Sequence, residues 1–401
     1  MSRARMKVVG CVLCVAVLGG ACSGDSDKVS TTATTKPYNI EEGVGSAAAT
    51  LRADLTGLLQ EHVLLLSIVT GTKLSGQDAG PASAVLDQNA ADLGNVVASV
   101  YGADTAARFL DPWRRHTAGL EAFTDVAAST DKAVVDKAKA DLTAIQIRIA
   151  TVLNEANPQL TVESLAETIG GYATSAEAAI TAQAKNDGTA PDKIKTAADK
   201  MADTAIVLAA GIVKQKKDAV PGKLDAISAV LRTELTAKLQ EHVYLASIVT
   251  GAALSGGGLE PASEALDENS LELSRAIGAV YGDEAARRFL ELWRQHIEFF
   301  VDFTEAAGRN DTTKKDAARS ALDGYRTTFA TFLNDANPKL GRTEVADDLG
   351  EHVDSLLSAI EAQAAKVPGQ VVKLREAAMH MPETALLLAT GIAQQFPSKF
   401  G

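Results

Sequence analysis

Cysteine is scarce in this chain of 401 residues, which contains only Cys11, Cys14 and Cys22. The first two lie in an apolar N-terminal stretch with the pattern of a removable leader, so a single cysteine remains in the mature chain. One thiol cannot form an internal disulfide or a cysteine-rich metal centre. The sequence therefore excludes stabilisation of the mature protein by an internal disulfide or by a cysteine-rich metal centre.

Positive charge is also in short supply, with 39 Lys and Arg against 51 Asp and Glu. The net charge is -12, and removal of residues 1–21 takes away three basic residues and no acid, which leaves -15. Such a chain repels the phosphate backbone of nucleic acids. Nucleic acid is thus excluded as a partner.

Long apolar runs are limited to the N-terminus, where a basic stretch precedes the run Val8–Leu18. This run matches the core of a signal peptide and is too short for a permanent span. The following Leu18-Gly19-Gly20-Ala21-Cys22 resembles a lipobox, although Gly19 stands where the pattern usually has Leu. We expect a signal peptide over 1–21, a lipid on Cys22 and a polar tether over 22–44; secretion with an incidental cysteine is the alternative.

Catalytic signatures are lacking too. The sequence contains no glycine-rich phosphate loop and no G-x-S-x-G elbow. It also has no strand-like alternation of apolar and polar residues. An enzyme is therefore not the favoured class, and β structure is not expected.

What the chain does contain is an internal repeat at a fixed offset of 180 residues. LRADLTGLLQEHVLLLSIVTG from Leu51 matches LRTELTAKLQEHVYLASIVTG from Leu231, and 28 of 52 positions are identical between 51–102 and 231–282. The correspondence extends to AIVLAAGIVKQ from Ala205 and ALLLATGIAQQ from Ala385. The repeat therefore covers the whole mature body.

Each repeat has the pattern of about six helices, because apolar residues recur at spacings of three and four and Gly, Pro or Asn separate the runs. In the second repeat we place helices near 222–254, 261–281, 283–307, 311–334, 343–365 and 368–395. Short connections favour antiparallel neighbours. The predicted fold is all-α, with two tandem up-and-down helical bundles over 45–218 and 222–401.

All six histidines of the chain fall at four repeat-equivalent positions. His62 pairs with His242 and His116 with His296, whereas the second repeat alone has His352 and His380. Each lies well inside its helix, so four imidazoles could meet in one layer of the second bundle. Bundle interiors commonly hold metals or haem through side chains on facing helices, and imidazole is a common ligand of both.

Carboxylates accompany two of these histidines on the same helical faces. Asp348 precedes His352 by four residues, and Glu376 precedes His380 by four. They are candidate metal ligands or partners that orient the imidazoles. The first repeat has Thr168, Tyr172, Thr196 and Lys200 at the four equivalent positions, so its site is expected to be empty or different.

An equally supported alternative is that the histidines form a hydrogen-bonded polar layer in the core and bind no metal or haem. No Glu-x-x-His pair of the di-iron type is present, which weakens the metal hypothesis. An enzyme ranks third, because hydrolytic or redox chemistry would need an open ligand position.

The elements EHV, WRxH, ANPxL and the closing GIAQQFPSKF are similar to an uncharacterised family of bacterial helical-bundle proteins. In that family histidines recur in the first, third and last helices. The resemblance covers both repeats and is closer in the second; the first departs from it at Tyr172 and Lys200. It implies the helical fold and no particular activity.

These observations predict a lipid-anchored extracytoplasmic protein attached to the cell membrane through Cys22. We expect its second bundle to bind a transition metal, with haem as the less favoured cofactor, through His242, His296, His352, His380, Asp348 and Glu376. The alternative is a cofactor-free structural or protein-interaction module with a partner in the cell envelope.

Overall fold

The structure, a computed structural model, describes residues 39–400, which form thirteen helices and no strand. The helices of the first repeat are α1 Ala47–Leu74, α2 Gly80–Tyr101, α3 Ala103–Phe123, α4 Lys132–Ala156, α5 Val162–Ala184 and α6 Ala190–Gln215. Those of the second are α7 Ile227–Ser255, α8 Leu259–Tyr281, α9 Asp283–Gly308, α10 Thr312–Ala336, α11 Arg342–Ala364 and α12 Gln370–Gln395, followed by the short α13 Pro397–Phe400.

The helices α1–α6 (the first half) and α7–α12 (the second half) follow the same order of packing. Consecutive helices pack on one another within each half, α6 returns to α1, and α12 returns to α7. One hydrophobic cluster runs through both halves. The all-α fold is confirmed for residues 39–400; the division into two separate bundles over 45–218 and 222–401 stays a prediction.

Equivalent residues end equivalent helices. Gly102 and Gly282 join α2 to α3 and α8 to α9 at φ values of 85° and 88°, which favour glycine. Asn157 and Asn337 follow α4 and α10, and their amides donate to the hydroxyls of Tyr101 and Tyr281 at 2.9 and 3.1 Å. The predicted break at Asn337 is thus observed, whereas α7 begins at Ile227 rather than at 222.

Helices α1 and α7 lie side by side and run parallel at the centre of the molecule. Near their N-termini the guanidinium of Arg232 donates to the hydroxyl of Thr50 at 2.9 Å. Further along, a Cβ on Gly57 would lie 3.0 Å from Oε1 of Gln240, so this glycine permits a close approach of the two helices. Because each central helix contacts both halves, it is buried on nearly all sides.

Two clusters of buried charge join the halves and follow the repeat. In the Glu61 cluster, Arg375 of α12 contacts Glu61 of α1 at 3.0 Å and Asp92 of α2 at 2.7 Å. In the Glu241 cluster, the equivalent Lys195 lies 3.9 Å from Glu241 and 3.0 Å from Glu272. Each half therefore contacts the other through the same positions, as in an isologous interface.

One helix within residues 39–400, α1, is long and apolar enough to cross a membrane. This corrects the expectation that no segment beyond the leader meets that test. In the structure, 72% of the apolar window of α1 is buried by other helices. Its composition is accounted for by its central position between the halves. The predicted signal peptide, Cys22 and the tether up to residue 38 lie outside the described residues.

Candidate functional site

Three of the predicted ligands lie inside the second half. His242, His296 and His352 are contributed by α7, α9 and α11, and all three side chains are buried. His380 of α12 lies at the edge of this interior, with 14% of its side chain exposed. Three of the four histidines are therefore buried in the interior of the second half, and the fourth lies at its edge.

The closest pair of imidazoles is His242 and His296, whose ring centres are 5.3 Å apart. Trp293, one turn before His296, packs on both rings at 4.8 and 4.5 Å. Tyr325 of α10 stacks on His296 at 5.1 Å with an interplanar angle of 20°. The aromatic residues that surround the pair exclude water from it and restrict the orientation of the rings.

The third histidine, His352, borders a cavity of about 50 Å³ that His296, Tyr325 and Asp348 also line. The ring of Phe300 lies 6.2 Å from that of His352. Most of the remaining lining is aliphatic or aromatic. A volume of this size holds one or two water molecules or a single ion, and is far below that of a typical small-molecule pocket.

Burial keeps these imidazoles neutral. It lowers the pKa of His242 to about 4 and that of His352 to about 3. Burial, with nearby His242 and His352, lowers the pKa of His296 well below its usual value. Neutral imidazole is the form that binds metals. The Nδ1 atoms of all three have no hydrogen-bond partner among the described residues.

His380 has its own partners. Its Nε2 lies 3.1 Å from the backbone oxygen of Asp348 and 3.3 Å from Oδ1 of the same residue. The Asp348 carboxylate also accepts from the hydroxyl of Thr384 at 3.1 and 3.0 Å. Hydrogen bonding to this carboxylate raises the pKa of His380 above its usual value. The pair is thus held together, and this imidazole is the one in the second half that gains a proton most readily.

Glu376 does not join the group. Its side chain is 55% exposed and forms an ion pair with Lys373 at 2.9 Å. Positions four apart on a helix are offset by about 40°, and His380 already lies at the edge of the buried face. The earlier residue therefore falls on the solvent side.

Within residues 39–400, no group of three or more His, Cys, Asp or Glu side chains is arranged to hold a metal ion. The ring centres of the closest pair, His242 and His296, lie 5.3 Å apart, and no third ligand group among the described residues joins them. The structure thus brings the candidate ligands into one region without forming a coordination sphere.

The first half repeats part of this arrangement. His62 and His116 are buried, their ring centres are 6.3 Å apart, and Trp113 packs on both. Tyr172, which replaces His352, packs on both imidazoles at 6.3 and 5.7 Å. Lys200, which replaces His380, is 51% exposed and lies near Asp203. The first half therefore keeps a histidine pair and lacks the other two imidazoles.

Sequence reasoning missed the buried glutamates that precede the first histidine of each repeat. Glu61 and Glu241 are fully buried and accept from the amides of Asn89 and Asn269, both at 2.9 Å. The hydroxyl of Tyr244 donates to Glu61 at 2.9 Å. The available signal was the motif Gln-Glu-His-Val within an otherwise apolar helix, since consecutive polar residues there must point to different helices.

Comparison with protein-family models, with curated proteins and with solved structures found no match to this chain. The resemblance to helical-bundle proteins with recurring histidines therefore stays a prediction.

Proposed function

We propose that this chain is a lipid-anchored extracytoplasmic protein whose second half binds a transition metal ion through His242, His296 and His352. One observation carries the proposal: three neutral, buried imidazoles lie near one another in the second half, and Nδ1 of each lacks a hydrogen-bond partner among the described residues. A buried polar atom without a partner costs about 1–3 kcal/mol. A bound ion would offset that cost at several atoms at once.

The spacing of the closest pair supports a shared ion. Two imidazoles that bind one metal at about 2.0–2.1 Å in tetrahedral geometry have ring centres about 5 Å apart. The ring centres of His242 and His296 are 5.3 Å apart, whereas those of His62 and His116 are 6.3 Å apart. The second half is therefore the better candidate of the two.

The third ligand would come from His352, which borders the cavity beside His296. A rotation of its side chain is required, because the three nitrogens do not converge. Asp348 and His380 would lie outside the coordination sphere, where their hydrogen bond fixes the neighbouring helices. A cavity of about 50 Å³ suits an ion and not haem, since pockets for organic ligands measure about 300 Å³ or more.

A second candidate function is a cofactor-free scaffold for a protein partner in the envelope. The observation that favours it is the same lack of a preformed group of three ligands within residues 39–400. The hydrogen-bonded trio of His380, Asp348 and Thr384 also shows how a polar layer can be satisfied by protein groups alone.

The two candidates differ in metal content. The mature chain from residue 22 onward is incubated in turn with Zn²⁺, Cu²⁺, Co²⁺ and Ni²⁺, desalted and measured by elemental analysis. We expect about one ion per chain, lost in His296→Phe and retained in the matched variant His116→Phe. Phe retains a planar ring that fills the space of the imidazole, so loss of metal is not a consequence of a cavity.

Absence of a retained ion in the wild-type chain contradicts metal binding and leaves the scaffold. Equal loss in His116→Phe and His296→Phe also contradicts it, because the ion would then not belong to the second half. A parallel incubation with haem, followed by its absorption spectrum, is expected to show no stoichiometric binding.

A further inference from the structure

A cavity of about 480 Å³ lies between the two halves at the C-terminal ends of α1 and α7, away from the histidines. Much of its wall is built from repeat-equivalent residues, since seven of the ten first-half residues that line it have their counterparts 180 residues later in the same wall. The pairs that the argument uses are Ser67 with Ser247, Ile68 with Ile248, and Gln183 with Gln363. The cavity therefore exists only where the halves meet, a common place for ligand pockets.

Two amide side chains in this wall are held in fixed orientations. Gln183 accepts from the hydroxyl of Thr70 at 2.7 Å and donates to the backbone oxygen of Ser67 at 2.9 Å. Gln363 accepts from Thr250 at 2.7 Å and donates to the backbone oxygen of Ser247 at 3.1 Å. A carboxamide has two N–H groups and two acceptor lone pairs. Each amide thus retains a donor and an acceptor for a ligand.

Glycines on the central helices make room for the amides. A Cβ on Gly71 would lie 3.4 Å from Nε2 of Gln183, and one on Gly251 would lie 3.1 Å from Nε2 of Gln363. The second distance is too short for a relaxed contact. The glycine backbone therefore allows each amide to lie close to the helix and leaves the centre of the cavity open.

The residues that line this cavity include no Asp, Glu, Lys, Arg or His. This is notable in a chain with 22% charged residues. Transfer of a charged ligand into such a wall would remove its hydration without supplying a counter-charge. An uncharged ligand has no such penalty, and its apolar surface would contact Ile68, Ile248 and Ile360.

Two further cavities, of about 460 and 680 Å³, share walls with the central one and extend it on either side. They correspond through the repeat, with Pro81 in one and Pro261 in the other. Charged residues appear only in these flanks, at Asp78, Lys366 and Asp187. The charge-free centre is thus the part that selects for a neutral group.

The cavity lies far from the N-terminal end of α1. The described chain enters at the N-terminal end of α1, where the amide of Ala48 donates to the oxygen of Pro221. Helix α1 has 28 residues, so the cavity lies about 30 Å or more from that entry point.

We propose that this central cavity binds a small uncharged molecule with an apolar body and an amide or carbonyl group. Its apolar body lies between the isoleucines of the two halves, and its polar group pairs with Gln183 or Gln363. This site is separate from the histidine region and does not depend on metal binding.

The test titrates the mature chain with Nile red, a neutral apolar dye that contains a carbonyl group, and in parallel with the anionic dye anilinonaphthalene sulfonate. We expect saturable binding of one Nile red per chain and binding of the anion at least about tenfold weaker. Ile68→Trp fills the cavity and is expected to weaken Nile red binding at least about tenfold. The control Ile227→Trp adds the same side chain at an exposed position of α7 and leaves binding unchanged.

Thr72→Trp, at a partly exposed position that lines the same cavity, replaces Ile68→Trp if circular dichroism shows that the latter is unfolded. His296→Phe is expected to bind Nile red as the wild type does, which keeps this result independent of the metal experiment. Nile red binding that does not saturate, that persists in the filled variants, or that is matched by the anionic dye would overturn the proposal.

Discussion

The two halves share a scaffold and differ in what they place beside their buried histidine pair. Both bury two imidazoles against a tryptophan on the third helix. The second half adds His352 and His380, where the first has Tyr172 and Lys200, and its pair is closer, at 5.3 rather than 6.3 Å. A buried histidine pair is therefore compatible with this fold without further ligands. What distinguishes the second half is the addition of two more imidazoles.

The two buried charge clusters between the halves also share equivalent residues, and the Glu241 cluster has additional charged residues. In the Glu61 cluster, Arg375 is the cation in contact with both carboxylates. In the Glu241 cluster, Lys238 joins Lys195, and Asp199 contacts both lysines. Burial raises the pKa of Glu241 to about 7, so this carboxyl can also take up a proton. The Glu241 cluster therefore has more ways to neutralise its buried charge.

The largest effect that we predict breaks this comparison at the interface. Arg375→Met removes the cation from the buried Glu61, and loss of one partner of a buried ion pair costs about 3–5 kcal/mol. The equivalent Lys195→Met leaves Lys238 within 3.4 Å of Glu241, so we expect less than half that loss. Urea unfolding followed by circular dichroism measures both. Equal losses of stability, or a greater loss in Lys195→Met, would contradict the conclusion that Lys238 acts as a second cation for Glu241.

The fold was predictable from the sequence because its signals are local. The spacing of apolar residues, Pro261 near a helix start and Asn337 at a helix end place the second-half helices within a few residues of those observed. The start of α7 was missed by five residues, since Lys223 to Ala226 have helical composition but form turns against α1. The repeat predicts a helix in the first half equivalent to α7, yet the central position of α1 depends on contacts with the other half, which periodicity cannot supply.

The candidate site was predictable only in part. His242, His296 and His352 could be placed in one region from the sequence, because each lies near the middle of its helix and on the apolar face of that helix. The positions of His380 at the edge of this interior and of Glu376 on the solvent side could not be derived from the sequence, because the edge of the buried face of α12 depends on how α7 and α11 pack against it. Contacts such as that between Glu61 and Arg375 join residues 314 positions apart. No local pattern identifies such a pair.

A smaller effect concerns the acid sensitivity that the halves share. Burial lowers the pKa of His116 to about 4 and that of His296 well below its usual value. Below pH 6.5 the unfolded chain binds protons that the folded chain does not, so the free energy of unfolding falls as pH falls. Each such histidine contributes about 1.4 kcal/mol per pH unit. His116→Phe and His296→Phe should each reduce this slope by about that amount between pH 6 and about 5.

An added metal ion provides a second test that distinguishes the two histidine pairs. In the folded chain these imidazoles are already neutral between pH 6 and about 5, so an added ion should raise the free energy of unfolding of the wild type and of His116→Phe by a similar amount at each pH, and should not raise that of His296→Phe. Urea titrations at several pH values, with and without the ion, provide the comparison. A slope that neither substitution changes would mean that these imidazoles are accessible to protons in the folded chain.

The smallest predicted effect separates His380 from its counterpart Lys200 and has the opposite dependence on pH. Hydrogen bonding to Asp348 raises the pKa of His380, so the folded chain holds this proton more tightly than the unfolded chain does. Its stabilisation is complete below pH 6.5 and disappears as pH rises through the folded-state pKa. The site is partly open to solvent, so screening limits the effect to less than about 1 kcal/mol.

His380→Gln should therefore lower the free energy of unfolding at pH 6 and not at pH 9. The control Lys200→Gln, at an exposed ion pair, should change the free energy of unfolding little at either pH. A loss in His380→Gln that is equal at both pH values would show that the ring contributes through packing alone and that its contact with Asp348 carries no charge.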